Sequence, residues 1–180
     1  MDASDPDLDR ELADARVSEA VARRRRRRRR ESFDAASVSA AAILTLHAAR
    51  HEAVTVHTVA GGVHRGTIRW VGDGIVVLLT GTGGTVLVTD AISHLDAAPL
   101  PTPGADVPLA SGGTRLGDLL AELAGVRAEV SIEVDGGEVL TGRLEMCGSD
   151  VCGLQVAAGG GDAVYVWLSS VTAVSSSSIS

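Results

Sequence analysis

The sequence predicts a mainly β protein with short helices, built as two helix-plus-five-strand small barrels in tandem behind an arginine-rich N-terminal helix or arm. Three observations predict it. Short apolar runs with period-two alternation are broken by Gly, Asp or Ser roughly every ten residues, the pattern of small antiparallel barrels and sandwiches. The same series of runs occurs twice. An apolar stripe at helical spacing precedes each series.

Residues 1–31 read as a charged arm. Asp5 can cap a helix and Pro6 can occupy its first turn. Asp7, Asp9, Glu11 and Asp14 come early, and Arg23, Arg24, Arg25, Arg26, Arg27, Arg28, Arg29 and Arg30 form an unbroken run late, an order that suits the helix dipole. Leu8, Leu12 and Val21 supply only a thin apolar face, so one reading is a solvated, partly disordered arm. The other is a nucleic-acid-binding arm, because adjacent arginines neutralise phosphates and release counterions without sequence preference. The same run can instead touch anionic lipid or fold back on the acidic remainder of the chain. Residues 1–30 carry ten Arg against seven acids, and residues 31–180 carry six Arg against sixteen acids. If nucleic acid binds, the arm therefore holds it.

Residues 32–97 read as the first helix and barrel. Ser32 or Asp34 can cap a helix with Phe33, Ala36, Ala40, Ile43, Leu44 and His47 on one broad face. An Arg-rich stretch followed by small and apolar residues also has the outline of a signal peptide. Glu31 and Asp34 interrupt it, seven acids lie upstream and the apolar part is amphipathic, so a cytoplasmic protein is expected. No apolar run reaches the length of a membrane span. Residues 98–113 hold four of the five prolines and read as an inter-domain linker.

Residues 114–175 read as the second helix and barrel. Leu116, Leu119, Leu120 and Leu123 fall at helical spacing, Thr114 or Ser111 can cap them, and Gly125 stands where a left-handed C-terminal residue belongs. Strands follow over 130–134, 138–146, 151–156, 163–168 and 171–174, with turns at Asp135-Gly136-Gly137, Gly148-Ser149-Asp150 and Ser169-Ser170. Residues 176–180 read as a disordered tail.

The repetition is legible by offset. At 76 residues, Val54 falls on Val130, Gly66 on Gly142, Ile68 on Leu144, Gly72 on Gly148, Ile75 on Val151 and Leu78 on Leu154. At 78, Val86 pairs with Val164 and Val88 with Val166, and at 79, Ile92 meets Val171 and Leu95 meets Val174. The matched positions are inward-facing apolar residues and turn glycines, with the drift confined to loops. Two units of about 60 residues are individually marginal, so packing against each other or against a partner is expected.

Residues able to do chemistry are sparse. The chain has no lysine, and its aromatic residues are Phe33, Trp70, Tyr165 and Trp167, expected in core or edge packing. Cys147 and Cys152 flank a turn without the second pair that a structural zinc site needs. His47 and His51 stand four apart at a helix end, where the dipole favours cationic groups, and lack the intervening Glu of a metalloprotease motif. His57, His64 and His94 are expected at the surface. Gly81 to Gly84 join two strands and open no helix, so they form no nucleotide fingerprint. No cofactor and no metal set is expected.

A helix and five strands, with Asp135-Gly136-Gly137 before Thr141, Gly142 and Arg143 across the first two, resemble the Sm-like (LSm) and SH3-like small β-barrels. The spacing recurs at Gly61, Gly62 and Gly66, and the ending Val164 to Val174 is similar to bacterial members, whose fourth strand turns tightly into the fifth. The resemblance covers roughly residues 33–97 and 114–175. It implies barrels whose strand edges pair with other barrels. The Asp–Asn pair and the cationic pair of the family's RNA pocket have no match, since Asp73 is followed by Gly74, Asp150 by Val151, and the strand 4–5 turns read Thr89-Asp90-Ala91 and Leu168-Ser169-Ser170. The expectation is a non-enzymatic protein-interaction or assembly module, an oligomer or partner complex formed through barrel edges. The alternative is a nucleic-acid-associated protein acting through Arg23–Arg30.

Overall fold

The computed structural model describes residues 39–98, 113–156 and 163–179. The charged arm, its arginine run and most of the proline-rich linker lie outside the described residues. Helix α1 (Ala40–Arg50) is capped by Ser39, whose hydroxyl accepts the Ala42 N–H at 3.1 Å. The described helix thus begins later than a cap at Ser32 or Asp34 would place it. It ends at His51, in the left-handed region at φ 52°.

Helix α2 (Leu116–Gly125) has Arg115 and not Thr114 at its cap, and the Asp118 carboxylate accepts the Arg115 N–H at 3.0 Å; Ser111 lies outside the described residues. Gly125 is its last helical residue. The left-handed position expected there falls instead at Arg127 (φ 49°), since the Arg127 and Ala128 N–H groups donate back to Ala124 and Leu123.

Ten strands follow the alternation read from sequence. They are β1 (Ala53–Thr58), β2 (Val63–Val71), β3 (Ile75–Thr80), β4 (Gly83–Val88), β5 (Ile92–Asp96), β6 (Glu129–Val134), β7 (Val139–Cys147), β8 (Val151–Gln155), β9 (Ala163–Trp167) and β10 (Val171–Ser176). They form one antiparallel sheet in the order β5-β1-β2-β3-β4-β10-β6-β7-β8-β9. The sheet is open and continuous, where the sequence reading expected two small barrels. β4 and β10 pair, and the two five-strand halves become one ladder.

Both halves use the same local devices. The ladder slips between Ile68 and Trp70 in β2, and between Leu144 and Met146 in β7. Tight 3-10 turns, Thr89–Ala91 and Leu168–Ser170, lead from the fourth strand into the fifth. Val59 N–H donates to Ala91 O, and Asp135 N–H donates to Ser170 O, both at 2.8 Å. Gly66 and Gly142 allow close strand crossing: a Cβ at either would lie 2.3 Å from Leu79 O or 2.5 Å from Gln155 O.

These pairings also correct one offset. Ile75 faces Val88 and Val151 faces Trp167, so β4 and β9 correspond at 79, not 78. Val86 thereby matches Tyr165, and Leu87 matches Val166. The loop before β9 absorbs one more residue than hydrophobicity alone suggested.

Two cores flank the ladder. One gathers Leu44, Val54, Val56, Ile68, Val76, Leu78 and Leu87. The other joins Leu120, Leu123, Ile132, Leu144 and Leu154 of the second half to Ile75, Val77 and Val86 of the first. Residues 176–179, read from sequence as tail, end β10 and bury Ile179 over Gly84. A serine-rich run with a single Ile carries little sign of this contact in sequence.

Candidate functional site

Among the described residues, three places on the sheet bring polar or exposed apolar side chains together: the β4–β10 seam and the two outer strands. At the seam, Ala173 pairs with Leu87, Val174 with Val86, Ser175 with Thr85 and Ser176 with Gly84. Ser175 and Thr85 hydroxyls meet at 2.9 Å. The sheet curls far enough for the β1–β2 turn to reach the β6–β7 hairpin, where a Cβ on Gly137 would lie 2.8 Å from Ala60 O.

That curl buries Glu133. Its Oε1 accepts hydrogen bonds from Thr58 Oγ1 at 2.7 Å and Thr172 Oγ1 at 2.9 Å, and His64 Nε2 lies 3.3 Å from Oε2. Gly62 leaves the room, since a Cβ there would collide with the same carboxylate at 2.1 Å. Thr58, Gly62 and His64 come from the first half, Glu133 and Thr172 from the second. His64, expected at the surface, faces this carboxylate instead because the curl folds β2 over it. The group ties two halves together, and a buried acceptor of this kind is costly to leave unpaired.

One outer strand is β5. His57 and His94, opposite one another on β1 and β5, stack with ring centroids 4.0 Å apart and planes at 10°. Asp96 Oδ2 lies 3.1 Å from His57 Nε2, and the Ser93 hydroxyl donates to His57 O at 3.0 Å. Their ligand atoms fall within 4.8 Å of one another. Parallel rings nevertheless point their nitrogen lone pairs side by side, and an ion cannot lie in both ring planes without rotating one ring.

The other outer strand is β9. Tyr165 and Trp167 are 57% and 62% exposed, and Met146 beside Tyr165 is 43% exposed. Core or edge burial was expected of both aromatics. The structure turns them outward because Val164 and Val166, the alternate residues, take the inward face. Tyr165 and Met146 both lie against Gly153, whose missing side chain makes the space. Trp70, at the place corresponding to Met146, packs into the second core. Phe33 lies outside the described residues.

The remaining candidates are scattered. Cys147 and Cys152 face one another across β7 and β8 as free thiols. Burial pushes the Cys152 thiol up to about 11, with the neighbouring Cys147 adding to it, and burial also raises Cys147. His47 is buried near Glu52, with Nδ1 3.6 Å from Oε2, while His51 is exposed at the helix end. The pair therefore shares no site, because the helix ends at Arg50 and His51 takes the left-handed conformation beyond it. Arg115 donates to Asp73 at 2.8 Å, pinning the start of α2 to the β2–β3 turn, and this hydrogen bond raises the guanidinium above its ordinary range. Asp73 and Asp90 sit on turns joined by the Thr89 N–H to Gly74 O bond at 2.9 Å.

Arg23 to Arg30 lie outside the described residues. Sequence reasoning missed Glu133, Thr58, Thr172 and the outward Tyr165 and Trp167. A Glu flanked by apolar residues in β6 was the available signal for the first, and strict alternation in β9 for the last two. The chain matches no protein-family model and no curated protein.

Proposed function

We propose that this protein is a non-enzymatic assembly module of two Sm-like/SH3-like barrel units in tandem, which associates with protein through its outer strand edges. The observation that carries the reading is β9, an outer strand that presents Tyr165 and Trp167 to solvent while its counterpart β4 is covered by β10. Exposed edges with aromatic side chains are association surfaces by default, because unpaired N–H and C=O groups add a strand and rings add buried area. Support for the tandem Sm-like identity comes from the shared strand order, the recurring turn hydrogen bonds and the matched glycines.

The test is the native mass of the chain isolated from its own cells. A homomeric or heteromeric complex that survives deletion of residues 1–31 and dissociates in Trp167→Arg is expected. A monomer with no partner would overturn the reading. A second reading, nucleic-acid association through Arg23–Arg30, rests on the eight consecutive arginines alone. It predicts binding that disappears when the run is replaced by Gln and that falls steeply with salt.

A further inference from the structure

We infer that His57, His94 and Asp96 form a binding site for zinc or a neighbouring first-row divalent ion on the outward face of the β1–β5 pair. The topology brings the three together. β1 buries Val54, Val56 and Thr58 on one face and leaves Thr55 and His57 on the other. β5 runs antiparallel beside it, with His94 directly opposite His57 and Asp96 opposite Thr55. His94 and Asp96 stand two residues apart on one strand, so both point to the side of the sheet that His57 occupies. The register slips between His57 and Thr58, and the extra residue on β5 is Ser93.

Ser93 selects the donor atom of His94. Its one hydroxyl proton goes to His57 O at 3.0 Å, so toward His94 Nδ1, also at 3.0 Å, its oxygen accepts. His94 therefore carries its proton on Nδ1 and its lone pair on Nε2. A hydrogen-bond partner behind the ring is what fixes the tautomer of a histidine ligand. Across the strands, His57 Nε2 stands 3.1 Å from Asp96 Oδ2. Two ligands each about 2.1 Å from one ion stand roughly 3.0–3.4 Å apart, so this nitrogen and oxygen have the spacing of adjacent ligands. The ion takes the place of the proton between them, with the His57 proton carried on Nδ1 instead.

The third ligand closes by a side-chain movement. The ligand atoms of all three residues lie within 4.8 Å of one another. His94 completes the set by tilting out of its stack with His57. It is exposed, and Ser93 Oγ is its one hydrogen-bond partner among the described residues. Exposed side chains turn in this way within nanoseconds. Two imidazoles and one carboxylate, with the remaining positions open to water, suit zinc, nickel or copper and not calcium or magnesium, which take oxygen ligands. β5 has β1 as its single neighbour in the sheet, so the ion fastens the outermost strand to the one beside it.

The test titrates zinc chloride into the full chain, produced without a polyhistidine tag, by calorimetry, and follows the melting temperature with and without the ion. One ion per chain and a raised melting temperature are expected. His94→Ala and Asp96→Asn should each weaken zinc by about tenfold or more. His51→Ala and Cys147→Ser, which remove ligand atoms elsewhere on the chain, should leave the affinity as it was. Circular dichroism checks the fold of each variant, and Asp96→Asn, at a side chain 70% exposed, carries the test alone if His94→Ala does not fold. A chain that takes up no zinc overturns the inference. So does zinc binding that a folded His94→Ala or Asp96→Asn protein leaves unchanged, because the ion is then held elsewhere.

Discussion

Glu133 is the residue that ties the two halves together by its side chain. Its carboxylate is buried and takes two hydroxyl hydrogen bonds from opposite halves, so Glu133→Ala strands Thr58 and Thr172 beside a small void. A loss of about 1–3 kcal/mol is expected in urea denaturation, with Glu133→Gln losing less because it keeps an acceptor. Cys152 gives the pH dependence. Its thiol is held up to about 11 by burial, so the folded state keeps a proton that the unfolded state releases near the ordinary thiol value. That contribution is fully present below the ordinary value and is lost as pH rises through about 11. Melting temperature should therefore fall across that window, and Cys152→Val should flatten the fall. The thiolate is the reactive form, so alkylation of Cys152 near neutral pH should be slow until urea is added.

At the scale of the element, the close crossings are the sensitive points. Gly66 and Gly142 have a backbone carbonyl where a Cβ would go, so Gly66→Val or Gly142→Val should cost about 1–3 kcal/mol, read as a lower denaturation midpoint. The C-terminal contact is testable in the same way. Ile179 fills the space above Gly84, and Ile179→Ala should destabilise by roughly 2 kcal/mol if the buried side chain counts as others do. Period-two alternation and turn glycines made nearly all ten strands legible in the sequence, because pleat and positive φ leave a residue-level mark. Helix caps were less so. Asp118 serves as acceptor from inside α2, and it satisfies the Arg115 N–H whatever side chain stands at the cap.

At the scale of the whole molecule, the charge division matters most. Residues 31–180 carry sixteen acids against six Arg, and the joined turns present Asp73 and Asp90. Residues 32–180 are therefore expected not to bind mixed RNA or duplex DNA in a fluorescence titration. Any binding by the full chain should fade steeply between low and physiological salt. Retention by residues 32–180 would point to a phosphate site on the sheet and count against an assembly role alone. No helix among the described residues is long and apolar enough to cross a membrane.

The sequence by itself determined the strands, their turns, the two leading helices and, except for a one-residue slip at β4 and β9, the correspondence between halves, since each is written in local periodicity and in glycines that only one backbone conformation requires. It did not determine that the halves share a sheet. That depends on β4 and β10, far apart in the chain, meeting edge to edge, and edge hydrogen bonds come from backbone groups that every residue carries. For the same reason Glu133 reads in sequence as an ordinary strand acid, and Tyr165 and Trp167 as aromatics packed in the core or at an edge. Only the tertiary structure decides which edge is covered, and so which side chains are buried at the seam and which wait at the ends.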